Sequence, residues 1–96
     1  MEESRNKHGR LSSEPYWQWE ADARSVIEEE MKRRGIRYKQ LSRLLEDVGI
    51  HESPDQLNRK VNRKRFSAAF LIACLRVMGV ETITLGSLEP RRNWNE

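Results

Sequence analysis

The sequence predicts an all-α fold, a domain of four to five helices followed by one short strand, and three observations carry that reading. Apolar residues recur at three- and four-residue spacing in four separate runs. Gly35, Gly49 and Gly79 follow three of those runs, where a helix commonly stops. Beyond Val80 the pattern changes to Thr82, Ile83, Thr84, Leu85, a β-branched alternation that suits a strand. With 96 residues there is material for one small core and little more.

Residues 1–13 are polar, mildly basic through Arg5, Lys7 and Arg10, and read as a flexible arm. Ser13 can cap a first helix that opens with Glu14 and Pro15 and runs to Arg34. Its core stripe is Trp19, Ala23, Ile27 and Met31, with Val26 alongside. Lys32, Arg33 and Arg34 favour the negative end of that helix, and Gly35 stops it. A second helix is expected from Tyr38 to Val48, with Leu41, Leu44, Leu45 and Val48 inward and Gly49 as its stop, after which Ile50 can enter the core. Ser53, Pro54 and Gln56 form a helix-start signal: an N-cap, a residue pre-set for the first turn, and a glutamine placed to close a capping box. Leu57 and Val61 then share one face of the third helix. Ser67 caps a fourth, with Phe70, Leu71, Cys74, Leu75 and Met78 inward. The chain thus divides into an arm (1–13), a helical body (14–80), a strand segment suited to dimerisation (81–90) and a tail (91–96) that carries Trp94.

Charged residues make up 34% of the chain, yet the net charge is only +3, so the distribution of charge says more than the total. From Glu14 to Glu30 the chain carries Glu14, Glu20, Asp22, Glu28, Glu29 and Glu30 against a lone Arg24, whereas Arg59 to Arg65 contains no acid. Such a dipolar molecule can turn one face to a polyanion. The single cysteine, Cys74, sits in an apolar run, which excludes a disulfide framework and points to a reducing cytoplasm. No run approaches the roughly 20 apolar residues of a membrane span, and the N-terminus has no signal-type hydrophobic segment.

Catalysis is not expected. His8 and His51 lack a cysteine or histidine at metal-ligand spacing, Cys74 would have to leave a packed helix to act as a nucleophile, and Glu28, Glu29 and Glu30 fan around a helix without converging. No glycine-rich phosphate loop is present. The reading is therefore of a non-enzyme without metal, cofactor or small-molecule ligand.

Ser53 to Phe66, SPDQLNRKVNRKRF, concentrates five cations around the Leu57–Val61 seam and suits phosphate oxygens and the acceptor edges of guanine. A helix is narrow enough to enter the major groove; Arg59 is the best candidate for a bidentate contact to guanine, and Asp55 can accept from a cytosine amino group. The order of elements carries a resemblance. Ile36 to Val80 resembles the helix-turn-helix core of the lambda-repressor-like, Cro/repressor (XRE-type) family, and within it small bacterial proteins carrying YKQLSRLL followed by SPDQLNRKVNRKRFSAAFL. The resemblance implies backbone contacts from Tyr38, Lys39 and Gln40, base contacts from Asp55, Gln56, Asn58 and Arg59, and phosphate contacts from Asn62, Arg63, Lys64 and Arg65. Two departures stand out: the second helix is nearly a turn longer than usual, and Arg63 replaces the usual glycine after the third.

These readings converge on sequence-specific binding of double-stranded DNA by a small bacterial or phage transcriptional regulator. A homodimer is expected, because one short recognition helix contacts too few base pairs, and Thr82, Ile83, Thr84 and Leu85 could pair across its two-fold axis. The alternative is a non-catalytic protein-interaction adaptor on the same scaffold, using Trp17, Trp19 and Trp94 as anchors. RNA binding ranks third, for want of interleaved surface aromatics.

Overall fold

A computed structural model describes residues 14–88; the expected arm, the Ser13 cap and the tail with Trp94 lie outside the described residues. A 3₁₀ turn over Glu14–Tyr16 leads into α1 (Trp17–Arg34), followed by α2 (Tyr38–Glu46), α3 (Pro54–Asn62) and α4 (Ala68–Val77), and a second 3₁₀ turn covers Leu85–Ser87. The described residues are thus all-helical in their regular structure. α2 packs on both α3 and α4, while α1 lies across α4 and reaches α3.

The core is what the apolar spacing dictates. Ile27 and Met31 of α1, Leu41 and Leu45 of α2, Leu57 and Val61 of α3, and Phe70, Cys74 and Leu75 of α4 are buried, with Met78 and Val80 closing one end. Each helix contributes residues one turn apart, so a single stripe from each meets at the centre. Cys74 is wholly buried, and that burial pushes its thiol up to about 12. It is a packing residue, as its sequence context implied.

Helix starts and stops follow local chemistry. Ser53 Oγ accepts from the Gln56 N–H at 3.1 Å, and Gln56 Oε1 accepts from the Ser53 N–H at 2.8 Å, so the capping box is complete. Ser67 Oγ accepts from the Phe70 N–H at 3.0 Å and starts α4. α1 ends at Gly35 (φ +67°), and the Ile36 N–H turns back to the Met31 carbonyl at 2.8 Å. Gly49 (φ +86°) does the same after α2, with Ile50 N–H on the Leu45 carbonyl at 3.0 Å. A side chain there would be strained by its backbone alone, since nothing lies within 4 Å of a Cβ added at either glycine.

Four expectations need correction. The first helix is not continuous from Glu14, because its opening residues form a 3₁₀ turn. Trp19 is not core: it is 38% exposed, and the buried stripe of α1 begins below it, with Ala23 and Val26 half-buried. α2 stops at Glu46, not Val48, because the Gly49 cap consumes its last carbonyls; Val48 is left 59% exposed, and the supposed extra turn is absent. The strand expected over Thr82, Ile83, Thr84 and Leu85 is not formed. A strand needs a neighbour to satisfy its backbone, and none exists among the described residues; the chain bends instead, Ser87 N–H and Oγ both donating to the Thr84 carbonyl.

Candidate functional site

α3 presents two faces of opposite character. Leu57 and Val61 are fully buried, and helical spacing puts Asp55, Arg59 and Arg63 on the line opposite them, with Asn58 and Asn62 on one flank. The capping box fixes where that line begins. It ends at Lys64, whose φ of +65° is the one positive value at a non-glycine residue among the described residues. The left-handed position after α3 is therefore Lys64; Arg63 keeps an ordinary helical backbone (φ −73°), which corrects its assignment as the substitute for glycine.

Ten of the eleven expected contact residues are exposed, all but Tyr38, and five of them, Lys39, Asp55, Arg59, Arg63 and Lys64, make no ion pair or side-chain hydrogen bond among the described residues. Asp55 and Arg59 stand one turn apart without pairing. Asp55 offsets part of the charge at Arg59, but Arg63 and Lys64 have no acid beside them in sequence, and such cations raise the local potential at the end of α3.

The other six, Asn58 among them, are engaged inside the chain. The Tyr38 hydroxyl donates to Glu28 Oε2 at 3.0 Å; burial, and then this bond to a carboxylate, hold the phenol well above its ordinary value. Gln40 Oε1 accepts from the Arg37 N–H at 2.9 Å, and Gln56 Oε1 closes the cap at Ser53, so neither amide can present its oxygen and nitrogen together to a base. Asn62 bonds Arg24 and Asn58. Arg65 Nε lies 3.3 Å from Glu20 Oε2, a half-exposed pair that adds little stability.

Lys60 is also withdrawn from the cationic surface, for its ammonium pairs with Glu52 and lies 5.0 Å from the Phe70 ring centroid. Two cations missed by the sequence reading share the exposed side of α2 and its entry: Arg43, one turn beyond Lys39, and Arg37. Their signal is present in the sequence, since Lys39 and Arg43 lie opposite Leu41 and Leu45 in the helical period. The engagement of Gln40 is harder to see, because the α2 N-cap is Arg37 and not one of the usual capping residues.

The remaining charge of α1 is internally balanced. Glu30 receives Arg33 Nη1 and Arg34 Nε, and Arg34 Nη1 also donates to the Met78 carbonyl at 3.3 Å, tying the end of α1 to the end of α4. Burial pushes the Glu30 carboxyl up, but the hydrogen bonds from Arg34 and Arg33 outweigh it and hold the group below its ordinary value. No group of three histidine, cysteine, aspartate or glutamate residues able to hold a metal ion occurs among the described residues. No helix among them is long and apolar enough to cross a membrane.

Fold and site together define a small all-helical domain with a cationic, outward-facing third helix. The chain belongs to the family described as a domain of unknown function (DUF6471), whose model matches residues 19–83, spanning nearly all of α1 and the whole of α2, α3 and α4. Comparison with curated proteins and with solved structures gave no match.

Proposed function

We propose that this chain is a sequence-specific double-stranded DNA-binding protein, a small transcriptional regulator in which α2 and α3 form a helix-turn-helix unit of the lambda-repressor-like kind. The observation that carries this reading is the outer line of α3. Arg59, Arg63 and Lys64 are exposed and unpaired on a helix whose opposite face is fully buried, so their position is fixed while their charge stays available. Ending the helix accounts for the left-handed backbone at Lys64, but glycine would hold it without the roughly 1–2 kcal/mol that a residue with a Cβ costs there, so the lysine side chain itself calls for a reason.

In this reading Arg59 contacts guanine, Asp55 and Asn58 flank it, and Lys39, Arg63 and Lys64 grip phosphate, with Arg65 joining them when Glu20 releases it. Gln56, Gln40, Tyr38 and Asn62 serve by holding the helices in place. Selection of bound sites from a random duplex pool, followed by substitution, tests it. Arg59→Ala should lower affinity for the selected site by about 1–3 kcal/mol and hardly alter affinity for random duplex, whereas Lys64→Ala should weaken both alike. Equal losses on every duplex for Arg59→Ala would reduce that residue to a phosphate contact.

The same reading includes a homodimer. Ile83 and Leu85 are exposed beside Val26 and Leu88 in a cleft between α1 and the 82–88 segment that is also lined by Asp22, Glu29, Glu30 and Arg33, so a second copy could cover the apolar residues within a largely polar setting. Paired Ile83→Asp and Leu85→Asp substitutions should leave a monomer by sedimentation.

One observation favours the adaptor as a second reading: Tyr16 and Trp17 are 61% and 51% exposed at the start of α1, beside the half-covered Trp19. Aromatics of this kind anchor protein interfaces. A chain that binds no duplex but loses a protein partner on Trp17→Ala would support it.

A further inference from the structure

A chain of hydrogen bonds crosses three helices and ends on the exposed flank of α3. Tyr38 at the start of α2 donates to Glu28 Oε2 at 3.0 Å, and the other Glu28 oxygen holds Arg24 Nη2 at 3.2 Å. Arg24 Nε donates to Asn62 Oδ1 at 3.0 Å, and Asn62 Nδ2 donates to both the Asn58 carbonyl, at 2.8 Å, and Asn58 Oδ1, at 2.6 Å.

The direction of every bond is forced by chemistry. A guanidinium only donates and an ionised carboxylate only accepts. Glu28 must therefore receive from both Tyr38 and Arg24. Asn62 must turn its oxygen to Arg24, because the flipped amide would set N–H against N–H. Its nitrogen is then turned to Asn58, which must answer with oxygen. The free end of Asn58 is accordingly its NH₂ group, which makes no bond among the described residues.

We infer that Arg24 and Asn62 are positioning residues which set the Asn58 amide as a donor, and so make α3 select an acceptor-rich base edge beside the Arg59 contact. This rests on the DNA-binding reading. An unconstrained asparagine offers oxygen and nitrogen together and pairs with adenine. Asn58 in this setting has its oxygen turned toward Asn62 and its nitrogen outward, an orientation that suits guanine O6 and N7 or thymine O4 over the amino group of cytosine.

The experiment uses the full chain and duplexes that differ at one base pair, located as the position where Asn58→Ala loses discrimination. Four proteins are compared there: wild type, Arg24→Met, Arg24→Lys and Asn62→Asp. Wild type should favour the acceptor edge about tenfold. Arg24→Met should flatten that preference, and Arg24→Lys, which still donates, should retain most of it. Asn62→Asp should move the preference toward a donor edge, because a carboxylate at position 62 can only receive, so Asn58 must turn its nitrogen inward and its oxygen out. The negative charge that Asn62→Asp adds weakens binding to all duplexes alike and leaves the ratio between them as the readout. Thermal melting confirms that each variant is folded, and Arg24→Met carries the test if Asn62→Asp is not. A wild type that binds duplex, with Arg24→Met and Asn62→Asp keeping its preference, would overturn this inference alone. A wild type that binds no duplex overturns the DNA reading and this inference with it.

Discussion

Three of the four helices in the described residues end alike, and the fourth does not. α1, α2 and α4 each give way to a glycine of positive φ, at +67° (Gly35), +86° (Gly49) and +91° (Gly79), and the next residue, Ile36, Ile50 or Val80, turns inward to the core. In each case that residue's N–H returns to a carbonyl of the last turn, on Met31, Leu45 or Leu75. α3 adopts the same left-handed turn at Lys64, but a Cβ sits where glycine would be relaxed, and the next residue is the exposed Arg65. Three ends are thus built for stability, while the fourth keeps charge at a position where stability alone favours glycine. On the proposed reading that strain is kept for the use of the side chain in binding.

The largest effect should come from beneath the site. Leu57→Ala removes a fully buried side chain from the inner face of α3 and should cost about 2–5 kcal/mol by denaturant unfolding. A loss under roughly 1 kcal/mol would mean that α3 is not anchored as its burial indicates. Gly49→Ala probes the relaxed type of ending; with open space around the Cβ, only the backbone is strained, and a loss of about 1–2 kcal/mol is expected. Lys64→Gly is the opposite experiment. It should gain roughly 0.5–1 kcal/mol in stability while weakening affinity for duplex DNA, and a gain without weaker binding would break the link between the strain and the site.

The smallest effect concerns the α1 ending, where Glu30 holds Arg33 and Arg34. Its carboxyl titrates lower in the folded chain than its ordinary value of 4.5, so the stability it adds is present at neutral pH and is lost as pH falls below 4.5 through the folded value. The melting-temperature gap between wild type and Glu30→Gln should therefore be widest at neutral pH and close in acid. A gap that widens in acid would reverse the sign.

Much of this contrast is legible in the sequence, because it rests on period and local chemistry. The Leu57–Val61 seam, the Ser53–Gln56 box and the glycines at 35, 49 and 79 are short-range signals, and each sits where the fold uses it. What escapes such a reading depends on partners distant in sequence. Nothing near Asn62 announces Arg24, 38 residues away, and nothing near Tyr38 announces Glu28, so the sequence alone presents both as free donors for phosphate. Val48 continues the apolar period of α2, yet the backbone demanded by Gly49 ends the helix first. The 82–85 alternation has strand character, but strand formation depends on a neighbouring edge, which no local pattern supplies.

The central claim is that the outer line of α3 and its strained end meet the phosphates and bases of duplex DNA. Binding measured against salt concentration tests it most directly. With Lys39, Arg63 and Lys64 available, and Arg65 released from Glu20, about three to four phosphates are neutralised per chain, so log affinity should fall with log salt at a slope of roughly −3 to −4. Lys64→Gly should make that slope shallower by about one. A slope near zero, or no binding at low salt, would contradict the account.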